Sequence, residues 1–591
     1  MRSLSKLVSV FLLLLLFNPA LAEDPATPNI VVVITDDQGH GDLSCHGNPV
    51  LKTPNIDALA ADSIRLTDFH VSPTCSPSRA AFMTGRCSNR TGVWHTIMGR
   101  SLLRENEITI AELLRDSGYA TGMFGKWHLG DNAPFRPEDR GFTEVYRHSG
   151  GGVGQTPDYW DNAYFDGHYL HNGKFVPADG FCTDVFFRHA KNFIRDQAEQ
   201  KKPFFAWIST NAPHGPLHCP VKWSEPYKDQ GKGVSNFLGM IANIDSNVGE
   251  LRELLDQLGV AQNTIFIFTT DNGTAGGRKI HNSGMRGQKG SEYDGGHRVP
   301  CFVHWPGNFT GGVDLDPLTA HVDLLPTLAE ICHVKLPTDV KLDGESIVPL
   351  LRDPDNTDAK WNERVIVTDS QRVLDPIKWR KSSVMTSQWR LINGKELYDI
   401  DADPGQSTDI SAAHPDVVQT LTKAYDSWWA DIEPTFAQFA RIHIGSPDEN
   451  PTVLTAHDWL DAAPPWNQAH IRGAKPSAPG YWSVNVLQPG NYRVALRRFP
   501  AESDFAIDQQ IPNADPVPGT KAYRDNPGTK IDPVKASLTI GDDSQTIDFE
   551  SGSKEVSFDV ELEAGETTIS ASFETADGEQ VGAFYVYVTR K

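Results

Sequence analysis

Apolar, β-branched residues run without interruption from Ile30 to Ile34. A strand that is apolar at every position is buried on both faces, as in a parallel sheet covered by helices on either side. Similar runs recur at Phe204–Ile208, Thr264–Phe268 and Val299–Val303, the last with Pro300 near its start. Between them the period changes to three and four. Thr53-Pro54 predicts an N-cap followed by proline at the first helical position, with Ile56, Leu59 and Ala60 on one face. Leu238, Ile241, Asp245, Val248, Leu251, Leu255 and Leu258 trace one stripe of a long helix that Gly259 closes. Strands alternating with helices predict a doubly wound, mostly parallel α/β fold. Such folds place ligands at the carboxyl ends of the strands.

The pattern weakens after about residue 340. Val365–Val367, Ser383–Met385 and Trp389–Ile392 read as short antiparallel strands, with a helix over 416–429 packed against them. From about 446 the chain is rich in proline and turn residues and then becomes β. Val556, Phe558, Val560 and Leu562 alternate with Ser557, Asp559 and Glu561, and Phe584, Val586 and Val588 alternate with Tyr585 and Tyr587. The expected organisation is a leader (1–22), an α/β domain (23–339), a smaller α+β subdomain (340–445) and an all-β, sandwich-like module (446–591). All the chemistry-bearing words described below precede residue 330, so the module is expected to stand apart from the chemical site.

The leader explains itself. Arg2 and Lys6 precede an apolar run from Leu7 to Phe17, broken only by Ser9, and Ala20-Leu21-Ala22 offers a small-residue cleavage site. This is the pattern of a secretory signal peptide, so export to a periplasmic or extracellular compartment is expected. The run is too short to span ~30 Å of hydrocarbon, and no later stretch is long enough, so no stable membrane span is expected. Among 591 residues the net charge is -22. That acid excess argues against nucleic acid as a partner, because binding phosphates needs clustered Lys and Arg. Of the seven cysteines none has C-x-x-C spacing, and an odd count leaves at least one without an intramolecular partner.

Four clusters carry chemistry. Cys75-Ser-Pro-Ser-Arg79 places proline in the first turn of a helix, so Cys75 sits at an N-terminus that favours anions, with Arg79 one turn on. Asp36-Asp37 follows one buried strand and Asp271-Asn272 follows another. Adjacent strands would unite them into a site of three carboxylates and one amide oxygen, suited to Ca²⁺ or Mg²⁺. Zinc is disfavoured, since that set holds no obligatory His or thiolate. The last cluster is scattered: Lys126 and His128 in Gly125–Gly130, His214 in Ala212-Pro-His214, and Lys289 in Arg286-Gly-Gln-Lys289. Together with Arg79, the lysines would stabilise an anionic transition state and the histidines would move protons.

With these words in this order, and with Thr84-Gly-Arg86, Gly295–Pro300 and His321–Thr327 between and after them, the sequence resembles the type I, formylglycine-dependent sulfatases, relatives of alkaline phosphatase by fold. Gly480-Tyr-Trp482 with Tyr492–Arg498 also resembles the C-terminal β domain of some bacterial arylsulfatase-like proteins. One departure is Asp294, where the family usually has Glu. The resemblance implies that a maturation enzyme oxidises Cys75 to formylglycine, whose hydrate attacks sulfur. It implies that Asp36, Asp37, Asp271, Asn272 and residue 75 hold the cation. Arg79 and Lys126 then hold the nucleophile and sulfate, Lys289 binds sulfate, His214 protonates the leaving alcohol and His128 is the base for sulfate elimination.

Two other readings start from the same residues. A phosphoester hydrolase of the same superfamily usually has Thr or Ser as nucleophile and two zinc ions with more His ligands. A non-catalytic sulfoglycan-binding protein would show decayed key positions. Cys75 and Asn272 argue against the first, and the complete constellation against the second. The aromatic segment 150–182, with Tyr159, Trp160, Tyr164, Phe165, Tyr169 and Phe181, suits either a sugar subsite or a packed loop.

Overall fold

The computed structural model describes residues 27–356, 358–460, 463–473, 479–517 and 527–591. The leader lies outside the described residues. Among the described residues, no helix is long and apolar enough to cross a membrane.

The main sheet has 10 strands among the described residues. In spatial order they are Val313–Leu315, Ile64–Leu66, Cys301–His304, Thr264–Thr270, Asn29–Thr35, Phe204–Ser209, Ala120–Gly125, Glu144–Arg147, His168–His171 and Lys174–Pro177. The strands from Thr264–Thr270 to Glu144–Arg147 are mutually parallel. Their uninterrupted apolar runs have the predicted cause. Ile30, Val32 and Ile34 point into one core with Ala80, Phe82, Leu114 and Leu328, whereas Val31 and Val33 point into another with Leu59, Phe186, Ile244 and Val248. The first core is covered by helices Cys75–Thr84, Ile110–Asp116 and Leu324–Ile331, the second by Pro54–Asp62, Cys182–Glu199 and Lys232–Gln257. The polar member of the long helical stripe also has a partner. Asp245 accepts from Ile56 N and Asn55 Nδ2, both at 2.8 Å, and so satisfies the first turn of Pro54–Asp62.

The run Val299–Val303 departs from the parallel expectation. Its strand, Cys301–His304, starts after Pro300, which has no N–H to give the ladder, and pairs antiparallel with both neighbours. Parallel return requires a helical crossover. The connection from Thr270 has only a short helical turn at Asp294–Gly296.

Strands Ile366–Asp369, Ser382–Met385, Trp389–Ile392 and Glu396–Asp399 form a separate antiparallel sheet, the last of them unforeseen. Helix Pro415–Ile432 packs Leu421, Tyr425, Trp429 and Ile432 against it. Two further sheets face one another in the C-terminal region. Their membership begins at Ile442–Ile444, which pairs with Tyr481–Val486. The core between them includes Leu102, Phe135 and Trp160 of the α/β region, so the β region is packed onto that domain. Glu449 reinforces the seam by accepting from Asn132 Nδ2 at 3.1 Å and Ala133 N at 3.0 Å.

Candidate active site

Sheet order brings the acidic pairs together. Asp36 and Asp37 follow Thr35, Asp271 and Asn272 follow Thr270, and Thr35 and Thr270 are register partners on adjacent parallel strands. Helix Cys75–Thr84, buried at all its positions, begins at the same end. Cys75 Sγ and one carboxylate oxygen each from Asp36 and Asp271 lie within 4.8 Å of one another. Asp37 takes a left-handed backbone, φ 67°, and its N–H donates to Asp271 Oδ1 at 3.2 Å. Asn272 Nδ2 donates to Asp37 Oδ1 at 2.9 Å.

Three cations close this floor. Lys126 Nζ lies 2.7 Å from Asp36 Oδ2, Lys289 Nζ 2.5 Å from Asp37 Oδ1, and Arg79 Nη2 2.7 Å from Asp271 Oδ2. Arg79 Nη1 also donates to Lys126 O at 3.0 Å and to Ser209 Oγ, which fixes the guanidinium plane. Burial raises the Asp36 carboxyl above its ordinary range against the pull of Lys126. Burial, with the neighbouring Asp36 charge, pushes Asp271 up to about 6. Asp37 goes the other way. Against its own burial, Lys289 and His214 hold it well below the usual carboxylate range.

The donor set fits a hard cation. Asp36 Oδ1 and Asn272 Oδ1 are buried and accept no hydrogen bond. An orphaned carboxylate oxygen in a dry site is costly unless something charged faces it. All the acidic and amide ligands are oxygens, which suits Ca²⁺ or Mg²⁺ rather than zinc.

The histidines stand on either side of the pocket. His128 Nε2 donates to Thr96 O at 2.8 Å, which leaves Nδ1 unprotonated and without a partner. His214 Nδ1 donates to Gly215 O at 2.7 Å, and its Nε2 lies 3.9 Å from Asp37 Oδ2. A free imidazole has a pKa near ~6.5. Burial instead drives His128 well below that value, with Lys126 adding to it, and pushes His214 down to about 4 despite Asp37. Only glycine fits beside His128. A Cβ on Gly151 would lie 2.3 Å from His128 Cε1.

A cavity of about 410 Å³ opens over Cys75, walled by His95, Thr96, Ile97, His128, Gly151, Gln155, His214, Lys289, Arg372 and Trp466. Every site residue expected from sequence is therefore in one place: Cys75, His128, His214 and Lys289 line the cavity, and Asp36, Asp37, Arg79, Lys126, Asp271 and Asn272 lie beneath. The walls at 95–97, Gln155, Arg372 and Trp466 were not foreseen, since none belongs to a spaced word. Trp466 also corrects the expectation that 446–591 stands apart from the chemical site. It lines the cavity, and the His457 ring lies 6.1 Å from that of His128. The physical reason is the shared core at the seam, which carries this segment to the cavity rim. The aromatic segment is mainly a packed loop: Trp160, Tyr164, Tyr169 and Phe181 are buried. Asp294 serves structure. Arg390 Nε donates to it at 3.1 Å while Arg390 Nη2 reaches Asp68 Oδ1 at 2.7 Å, tying the small subdomain to the main sheet. All seven cysteines are unpaired.

Comparison with known proteins agrees with this geometry. The Sulfatase family profile matches residues 28–334, and that of the N-sulphoglucosamine sulphohydrolase C-terminal region matches 288–427. Arylsulfatase A of Homo sapiens is 32% identical over 448 residues, covering 67% of this chain and 86% of the relative. N-acetylgalactosamine-6-sulfatase of Homo sapiens is 32% identical over 355 residues, covering 55% and 66%. Among solved structures, Ps i-CgsB in complex with k-i-k-neocarrahexaose superposes with a TM-score of 0.62 at 28% identity, covering 68% of this chain and 92% of that one. The chain belongs to the sulfatase family of the alkaline-phosphatase-like superfamily and is a sulfuric ester hydrolase, acting on sulfate esters of carbohydrates or aryl compounds.

Proposed function

We propose that this chain is an exported sulfatase that cleaves sulfate monoesters to an alcohol and inorganic sulfate, with residue 75 as nucleophile. One observation carries the reading: Cys75 lies at a buried helix start within 4.8 Å of Asp36 and Asp271, under a cavity and beside three cations. Burial pushes the Cys75 thiol up, which disfavours the nucleophilic thiolate. Oxidised to formylglycine by a maturation enzyme and hydrated, the residue supplies an oxygen nucleophile in its place. Asp36, Asp37, Asp271, Asn272 and residue 75 would hold a divalent cation, Ca²⁺ or alternatively Mg²⁺, which would supply Lewis-acid polarisation of the sulfate.

The chain's own groups do the rest. Three carboxylates and three bases balance in charge, so a divalent cation leaves the floor positive and attractive to an anionic ester. Arg79 and Lys126 orient the nucleophile and sulfate from below, and Lys289 binds sulfate from the side. His214, whose Nδ1 is committed to Gly215 O, gives the leaving alcohol its proton from Nε2. An anionic ester beside that ring raises its pKa again. His128 Nδ1, unpartnered and unprotonated, takes the proton from the hydroxyl of residue 75 as sulfate departs. A base must be neutral to act, and the burial that lowers the pKa of His128 keeps it so.

Export rests on the leader of residues 1–22, and a sulfated carbohydrate or aryl sulfate as substrate rests on the relatives. The solved relative bound to an oligosaccharide favours a glycan. The test is sulfate release from protein co-expressed with a maturation enzyme, across sulfated glycans, an aryl sulfate and the matching phosphate esters. The expected result is cleavage of sulfate esters in preference. Faster release of phosphate would favour the phosphoester hydrolase instead.

A further inference from the structure

The cavity over Cys75 contains a cation that the mechanism does not use. The chain as a whole carries a net charge of -22, yet among the described residues no Asp or Glu lines this cavity. Its lining cations are Lys289, which Asp37 pairs, and Arg372, which has no hydrogen-bond or ion-pair partner for its guanidinium among the described residues. Arg372 comes from the small subdomain, in the connection between strands Ile366–Asp369 and Ser382–Met385.

That connection is held firmly while its arginine is left open. Gln371, buried, donates from Nε2 to Asp369 Oδ2 at 2.8 Å and accepts from Ile377 N at 2.8 Å. Arg380 Nε donates to Gln371 O at 2.6 Å. Arg372 N donates to Trp94 O at 3.2 Å, and Trp94 Nε1 returns a bond to Val373 O at 3.2 Å. These contacts keep Arg372 at φ 45°, a left-handed backbone that a non-glycine residue adopts only when its surroundings impose it. His95 stands in the same wall. Its Nδ1 accepts from Thr96 N at 2.7 Å and Ile97 N at 3.2 Å, so its remaining donor is Nε2–H. A guanidinium carried on a fixed backbone, sharing a cavity wall with an imidazole N–H, can receive a planar or tetrahedral oxyanion.

We propose that Arg372, with His95, forms a second anion subsite at the mouth of the cavity, which takes a carboxylate or a second sulfate borne by the same substrate. This rests on the sulfatase reading and narrows it: the preferred substrate is a polyanionic glycan, with one anion on the catalytic floor and another on Arg372. A small aryl sulfate, carrying one anion, leaves the subsite empty.

The test compares three sulfated disaccharides with the same scissile ester: one otherwise neutral, one with a neighbouring uronic acid, one with a second sulfate. In the wild-type protein, kcat/KM for the two dianionic substrates should exceed that for the neutral one by roughly 10–100-fold, chiefly through KM. Arg372→Glu should erase that ratio, Arg372→Lys should restore part of it, and added salt should compress it. Whichever dianionic substrate shows the larger ratio identifies the preferred anion. Equilibrium binding of the same compounds to the Cys75→Ala protein is measured alongside, so the subsite is read without turnover. Ratios and affinities indifferent to Arg372→Glu, with sulfate still released, would overturn the subsite and leave the sulfatase reading standing. Failure to release sulfate from any of the three and from an aryl sulfate as well would count against the sulfatase reading itself.

Discussion

The floor and the walls of this cavity are built by opposite rules. The floor comes from the ends of adjacent parallel strands and one helix start, and its charged side chains are buried and paired with one another. The walls come from distant connections, at 95–97, 151–155, 372 and 466, and hold single residues with few partners. A floor of this kind is rigid and suits chemistry common to a family. Walls set on loops tolerate exchange, so they suit the choice of alcohol. The difference separates how the ester is cut from which ester is admitted.

The largest effects belong to the floor. Cys75→Ala should lower kcat by on the order of 10³-fold or more, because it deletes the nucleophile, with the melting temperature nearly unchanged. A variant that retains turnover would break the division at its base. Asp271→Asn keeps the side-chain shape but removes one charge from the cation site, and it can accept from only one of Asp37 N and Arg79, since its NH2 replaces the other acceptor oxygen. Elemental analysis should show loss of bound Ca²⁺ or Mg²⁺ together with roughly 10²–10³-fold loss of activity. Stoichiometric zinc in the wild type, without Ca²⁺ or Mg²⁺, would refute the donor-set argument.

Intermediate effects fall where floor meets wall. His128→Ala should leave sulfate covalently attached to the peptide containing residue 75 after brief exposure to substrate, visible as added mass. Gly151→Ala should resemble it more weakly, by roughly 10–100-fold in kcat, because the new methyl displaces the His128 ring. A Gly151→Ala protein with normal kcat would show that the ring position is not demanding.

On the wall, Trp466 is 38% exposed. A large ring left open at a cavity rim offers a face on which a sugar ring can stack. Trp466→Ala should lower the ratio of kcat/KM for an oligosaccharide sulfate to that for a small aryl sulfate by roughly 3–30-fold. An unchanged ratio would make the C-terminal region a packing element and no more.

The floor was legible from sequence and the walls were not. Asp36-Asp37 and Asp271-Asn272 follow apolar runs, so topology alone brings them together. Cys75 and Arg79 are fixed by their spacing within one helix. Arg372 and Trp466 follow no periodic pattern, and their positions depend on how the small subdomain and the β region dock. The antiparallel turn of Cys301–His304 was missed because a short apolar strand has no direction. The lowered pKa values of His128 and His214 are not legible in the sequence, because burial of a loop residue is a tertiary property.

A separate effect, on stability rather than turnover, concerns the docking seam itself. Burial pushes the Glu449 carboxyl up to about 7, with Ala133 N and Asn132 pulling against it. Its folded pKa exceeds its unfolded pKa of ~4.3, so its contribution is complete below that lower value. It is then lost as pH rises toward about 7, at no more than ~1.4 kcal/mol per pH unit. Denaturation of wild type and Glu449→Gln from pH 4 to pH 8 should show that only the wild type carries this increment. Parallel stability curves would remove Glu449 from the seam's pH response.

The most direct measurement is turnover against the fraction of residue 75 present as aldehyde. Preparations made with varying amounts of maturation enzyme are assayed for sulfate release, and the peptide containing residue 75 is weighed by mass spectrometry. The account predicts a straight line through the origin. Full turnover in protein whose residue 75 is entirely unmodified thiol would contradict it.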